Sequence, residues 1–210
     1  MTGHPDSEPA PAGTEADDCF IDLFWLPVGA GTPRAQQFSL ACWEAVAALL
    51  SRRKRAALYH PALKMRQGAV TYTLELTPVF VGEPAAPAMT GPVGLRAAGR
   101  FKLFRYQLRC YEADSLPDEE WAVESPIRLS TECELVERIR EAAATVPPHA
   151  WGRRAPGTHE MWTSASVVSW LLTECGIDAG AIALPRGGRA PGWQAGLEVA
   201  GLSGGRTGVR

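Results

Sequence analysis

The chain has 210 residues, 46% of them hydrophobic and 21% charged, with 21 Lys+Arg against 23 Asp+Glu for a formal charge of -2. These fractions belong to ordinary globular proteins and exclude collagen-like, coiled-coil and wholly disordered chains, and the length suits one domain. A near-neutral balance with no sustained basic block lacks the phosphate-neutralising footprint of a dedicated nucleic-acid binder, so no nucleic-acid partner is expected.

Residues 1–18 are acidic and rich in Pro, Ala and Gly, with too few large apolar groups to offset the entropy of ordering, and read as a disordered tail. They contain no cationic start followed by an apolar core, so no secretory signal is expected and the reading is cytoplasmic. The single domain spans 19–200. It opens with a strand, Phe20 to Val28, which leads into a helix at about Ser39 to Arg52, where Leu40, Trp43, Ala47 and Leu50 recur at helical spacing. The four cations from Arg52 to Arg55 suit a solvated helix end.

A hairpin follows, Ala57 to Arg66 and Ala69 to Phe80, around a turn at Gln67 and Gly68. That turn pairs His60 with Glu75, Ala62 with Thr73 and Lys64 with Thr71 on a polar face. Leu63, Met65, Tyr72 and Leu74 then share the apolar face, so the register separates the two kinds of residue. Residues 81–100, with three prolines and four glycines, read as a long loop. Lys102 to Tyr111 alternates as a strand with one buried and one wet face. A helix is expected to about Thr145, capped by Ser130 or by a Thr131/Glu134 capping box, and a short apolar helix from Ser164 to Cys175 stopped by Gly176. The Gly-rich remainder, anchored by Trp193, reads as an ordered loop and then a flexible tail over 201–210.

The five cysteines stand singly with no C-x-x-C pair, so they read as buried reduced thiols and not as a disulfide framework. No His/Cys/Asp/Glu group has metal-ligand spacing, so neither a metal nor a cofactor is expected. No apolar window reaches the length of a membrane span. Arg186-Gly187-Gly188-Arg189 could hold an anion but lacks the strand-loop-helix context of a phosphate loop, so a surface turn suits it as well.

Two constellations carry chemistry. A carboxylate beside His60 would fix its tautomer and raise its basicity, as a general base requires, although an incidental His/Glu pair on a solvated face has the same spacing. In Met161-Trp162-Thr163-Ser164-Ala165-Ser166-Val167-Val168-Ser169-Trp170-Leu171-Leu172, a hydroxyl at Thr163 or Ser164 opens a buried helix. It is either an N-cap or a nucleophile held where free N–H groups can stabilise an oxyanion. His159, five residues before Ser164, is a rival base or an exposed loop residue.

A hairpin His followed much later by a motif of the type N-C-x-S-x-x-x-W-L-L resembles the circularly permuted papain-like proteins, the group that includes lecithin:retinol acyltransferase-like and permuted NlpC-type enzymes. The chain also looks like a group of actinobacterial proteins that share MW-x-S-x-S-x-x-SWLL and GGRAPGW. The papain-like resemblance implies an α+β domain, an antiparallel sheet packed on a central helix. It also implies an acyl-transfer protein acting on an amide or ester, with Ser164 at the nucleophile position, His60 as base and Glu75 as orienter. Thr163, Ser166, Thr73 and Arg189 would line the substrate. Ser164 stands where those families have Cys, and a hydroxyl is the weaker nucleophile, so a silent member that binds a peptide or small molecule in the same cleft is the alternative. Oligomeric state is open.

Overall fold

The computed structural model describes residues 18–29, 56–79 and 87–207. The N-terminal tail up to residue 17, the helix expected at 39–52, the cations from 52 to 55 and residues 208–210 lie outside them.

An α+β domain forms as expected. Its strands are β1 (Cys19–Pro27), β2 (Ala57–Gln67), β3 (Val70–Pro78), β4 (Met89–Pro92), β5 (Arg105–Glu112), β6 (Ile127–Ser130) and β7 (Gly188–Arg189). Six of them form an antiparallel sheet in the order β4-β5-β3-β2-β1-β6, and the two residues of β7 add to β2 in parallel. Three helices follow: α1 (Cys133–Ala142), α2 (Ser164–Glu174) and α3 (Trp193–Thr207). No helix among the described residues is long and apolar enough to cross a membrane.

Strand alternation sorts the sheet into two faces. On the inner face Leu23, Trp25, Leu63, Met65, Leu74 and Leu108 join one core with Ile139 of α1 and Val167, Val168 and Leu171 of α2. On the outer face Phe24, Leu26 and Ala62 pack against Leu116 from the segment that follows β5. Asp22 is buried between β1 and β6 because Arg128, opposite it in the ladder, grips both its carboxylate oxygens.

Helices α2 and α3 approach very closely. A Cβ on Gly196 would stand 2.2 Å from the Ser166 carbonyl oxygen and 2.1 Å from the Ser169 hydroxyl. That contact lets Ser169 donate to the Trp193 carbonyl at 2.7 Å.

Several sequence expectations are corrected. The hairpin turn lies on Gly68 and Ala69, not on Gln67 and Gly68, so the ladder pairs Lys64 with Thr73 and Met65 with Tyr72. Gly68 has φ +59, and glycine at the first central position is what a two-residue II′ turn selects. The shift is two residues, so His60 and Glu75 keep one face but no longer face each other. Part of the 81–100 loop is strand β4 and a 3-10 turn at Arg96–Arg100. The β5 face expected to be wet is buried at Gln107 and Arg109. Helix α1 starts at Cys133 without a side-chain cap, and Ser130 instead accepts from the Glu132 N–H. Cys19 and Cys133 form a disulfide with their Cα atoms 5.2 Å apart, tying β1 to α1, while Cys110 and Cys175 are free. The Gly-rich stretch from Trp193 is helix α3, held by the Gly196 contact that its composition concealed.

Candidate functional site

The β2–β3 ladder runs only as far as Leu63 and Leu74. Beyond that point β2 continues beside β1 while β3 continues beside β5, so the two strands part. A cavity of about 410 Å³ opens against the parted end of β2. Leu58, Tyr59 and His60 line it on one side, and Thr163 and Ser164 at the start of α2 line it on another. Trp151 forms a third wall. It also walls a neighbouring cavity of about 290 Å³ that reaches Pro78 at the end of β3, so Trp151 borders both cavities.

Loop bonds fix the position of Trp151. The Trp151 N–H donates to the Pro92 carbonyl at 2.9 Å, its carbonyl accepts from Gly94 at 2.9 Å, and its ring packs on Tyr106 with centroids 5.7 Å apart. The approach to α2 is held from below. Trp162 is fully buried, its indole N–H donates to the Tyr106 hydroxyl at 3.2 Å, and that hydroxyl donates to the His149 carbonyl at 2.7 Å.

At the helix start the two sequence readings of the hydroxyls separate. Thr163 is the N-cap: its Oγ1 accepts from the Ala165 N–H at 3.2 Å and donates to the Pro191 carbonyl at 2.6 Å. Ser166 completes a capping box, accepting from the Thr163 N–H at 2.9 Å and donating to the Gly192 carbonyl at 2.7 Å. Ser164 is therefore not needed for capping. Ser164 lines the cavity, and neither its hydroxyl nor its own N–H has a hydrogen-bond partner among the described residues.

Burial holds the His60 imidazole below its ordinary value, while the Asp118 carboxylate pulls the other way. The carboxylate that acts on His60 is thus Asp118, which the sequence reading missed. Asp118 sits at φ +59 in the left-handed region, in the segment laid over the outer face. Such a residue is uncommon outside glycine, although Asp tolerates it better than most. The only local signal was the turn-forming Pro117-Asp118 dipeptide, which says nothing about its distance from β2.

Glu75 is held elsewhere. It accepts from the Tyr111 hydroxyl at 2.8 Å, and Arg109 stacks on the Tyr111 ring at 4.6 Å. Burial raises its carboxyl above the usual range, and Asp118 adds to this, against the Tyr111 bond and the Arg109 charge. Glu75, Thr73, Ser166 and Arg189 do not line the cavity. Thr73 is sealed in the sheet, Ser166 is consumed by the cap, and Arg189 lies 3.8 Å from Glu160 on β7. His159 is exposed and bonded to Glu198 at 2.8 Å, so it is the loop residue and not the base. Cys175 is buried at the far end of α2, where burial pushes its thiol up to about 11.

His60, from the outer face of β2, and Thr163 and Ser164, at the start of the inner-face helix, thus line one cavity, which has apolar walls from Val28, Met161 and Pro191. No protein-family model matches the chain, and no curated protein or solved structure matches it either.

Proposed function

We propose that the protein carries out acyl transfer on an amide or ester bound in the 410 Å³ cavity, with Ser164 as nucleophile and His60 as base. One observation carries this reading: capping of α2 is done by Thr163 and Ser166, which leaves Ser164 uncommitted in the lining of the cavity that His60 also lines. The resemblance to permuted papain-like proteins supplies the reaction class. In the step, the Ser164 Oγ adds to the substrate carbonyl as its proton passes to the His60 imidazole. Collapse returns that proton to the departing amine or alcohol and leaves an acyl-serine, which water or a second acceptor resolves. The Ser164 N–H is the donor available to the oxyanion. Asp118, not Glu75, is the carboxylate whose charge favours the His60 cation formed in this step, and we assign it the supporting role on that ground.

No hydrogen bond joins Ser164 to His60, and catalytic bonds of this kind commonly tighten only with substrate in place. That same gap supports the second reading, a protein that binds a peptide or small molecule in the cavity without turning it over. Turnover of activated acyl esters separates the two. Ser164→Ala should lower it by at least about a thousandfold. Wild-type turnover in Ser164→Ala would remove the nucleophile role.

A further inference from the structure

The segment from Leu95 to Arg105, LRAAGRFKLFR, differs from the rest of the surface. Leu95 is 61% exposed, Phe101 53%, Leu103 66% and Phe104 43%, and these are four of the seven large apolar side chains exposed among the described residues. Cations alternate with them at Arg96, Arg100 and Lys102, all exposed and none paired with a carboxylate among the described residues. No Asp or Glu occurs anywhere from residue 84 to residue 111.

The segment is also held in place. Arg105 donates through Nε to the Gly99 carbonyl, and Arg153 donates through Nε to the Gly94 carbonyl at 3.1 Å. Two arginines are thus spent on fixing the backbone, while Arg96, Lys102 and Arg100, whose guanidinium lies 4.8 Å over the Phe101 ring, have no carboxylate partner among the described residues. Large apolar side chains left in water and concentrated in one short segment mark an interaction site.

We propose that Leu95–Arg105 is a docking surface for an anionic lipid bilayer. Charge complementarity and spacing carry the choice of partner. Each large apolar side chain has a cation beside it in sequence, which suits the boundary where acyl chains meet anionic headgroups. Phe101, Leu103 and Phe104 enter the acyl region, and Arg96, Arg100 and Lys102 stay with the phosphates. The proposal is independent of the acyl-transfer reading, because it concerns binding and needs no turnover.

Vesicle co-sedimentation of the full chain tests it, with phosphatidylcholine alone against phosphatidylcholine mixed with phosphatidylglycerol. The expected result is binding to the anionic vesicles that weakens as salt rises, and little binding to the neutral ones. Arg96→Gln/Arg100→Gln/Lys102→Gln should weaken binding by at least about tenfold. Phe101→Ser/Leu103→Ser should also weaken it by about tenfold, at unchanged salt dependence. Both variants alter exposed side chains, and circular dichroism confirms that each remains folded. Equal binding to both vesicle types, undiminished binding in both variants, or capture by soluble polyglutamate with no vesicle binding would overturn the proposal, the last in favour of an acidic protein partner.

Discussion

Thr163 and Ser164 are adjacent hydroxyls with different work. Thr163→Ala should cost about 1 kcal/mol of stability, since it removes the N-cap of a buried helix, whereas Ser164→Ala should stay within about 0.5 kcal/mol because its hydroxyl has no partner among the described residues. Thermal unfolding of the two variants measures the contrast, and equal losses would mean that Ser164 is structural. His60 makes a prediction in pH. Its folded value lies below its unfolded one, so below pH 6.5 the unfolded chain binds more protons and stability falls as pH falls through the folded value. Glu75 acts with the opposite sign: its raised value favours the folded state below 4.5 and withdraws that support as pH rises through the folded value. His60→Gln should therefore flatten the loss of stability that sets in as pH falls below about 6.5. Asp118→Asn should move the His60 titration, followed by NMR, further down, because only the raising influence is removed; a titration that stays in place would end the supporting role of Asp118.

Elements were legible to different degrees, for physical reasons. Helix α2 was read to within a residue because a hydroxyl cap, an unbroken apolar run and Gly176 all agree. The β2–β3 faces were legible, since alternation fixes which residues share a side, but the register was off by two because either Gln67-Gly68 or Gly68-Ala69 can occupy the turn. Helix α3 was missed because Gly196, Gly201, Gly204 and Gly205 weaken helix propensity, and propensity carries no record of a neighbouring helix that demands a missing Cβ. Gly196→Ala should raise local helix propensity yet destabilise the protein by about 1–3 kcal/mol, because the new methyl meets not only the Ser169 hydroxyl but also the Ser166 and Trp170 backbone, which cannot swing aside. A variant that unfolds at or above the wild-type temperature would show that α2 and α3 can separate freely.

At the scale of the whole molecule, what remained hidden was proximity between distant parts of the chain. The Cys19–Cys133 bond spans 114 residues, and no spacing rule reaches that far, so single cysteines were read as thiols. Likewise the charge of Asp118 acts on His60 from a segment laid over the outer face, and Trp151 borders both cavities at the ends of β2 and β3, which part beyond Leu63 and Leu74. That opening is the step on which the functional account depends: it lets the first turn of an inner-face helix and a residue of the outer face address one cavity. The most direct measurement replaces Ser164 by cysteine and follows the iodoacetamide reaction rate against pH, in the wild-type background and with His60→Gln. Ser164→Cys should give a thiol titrating below its free value of about 8.5, because the helix start and a proton-accepting imidazole both favour the thiolate, and His60→Gln should raise it again. A thiol that titrates at or above the free value and ignores His60→Gln would contradict the account, leaving Ser164 on the cavity wall with no imidazole to activate it.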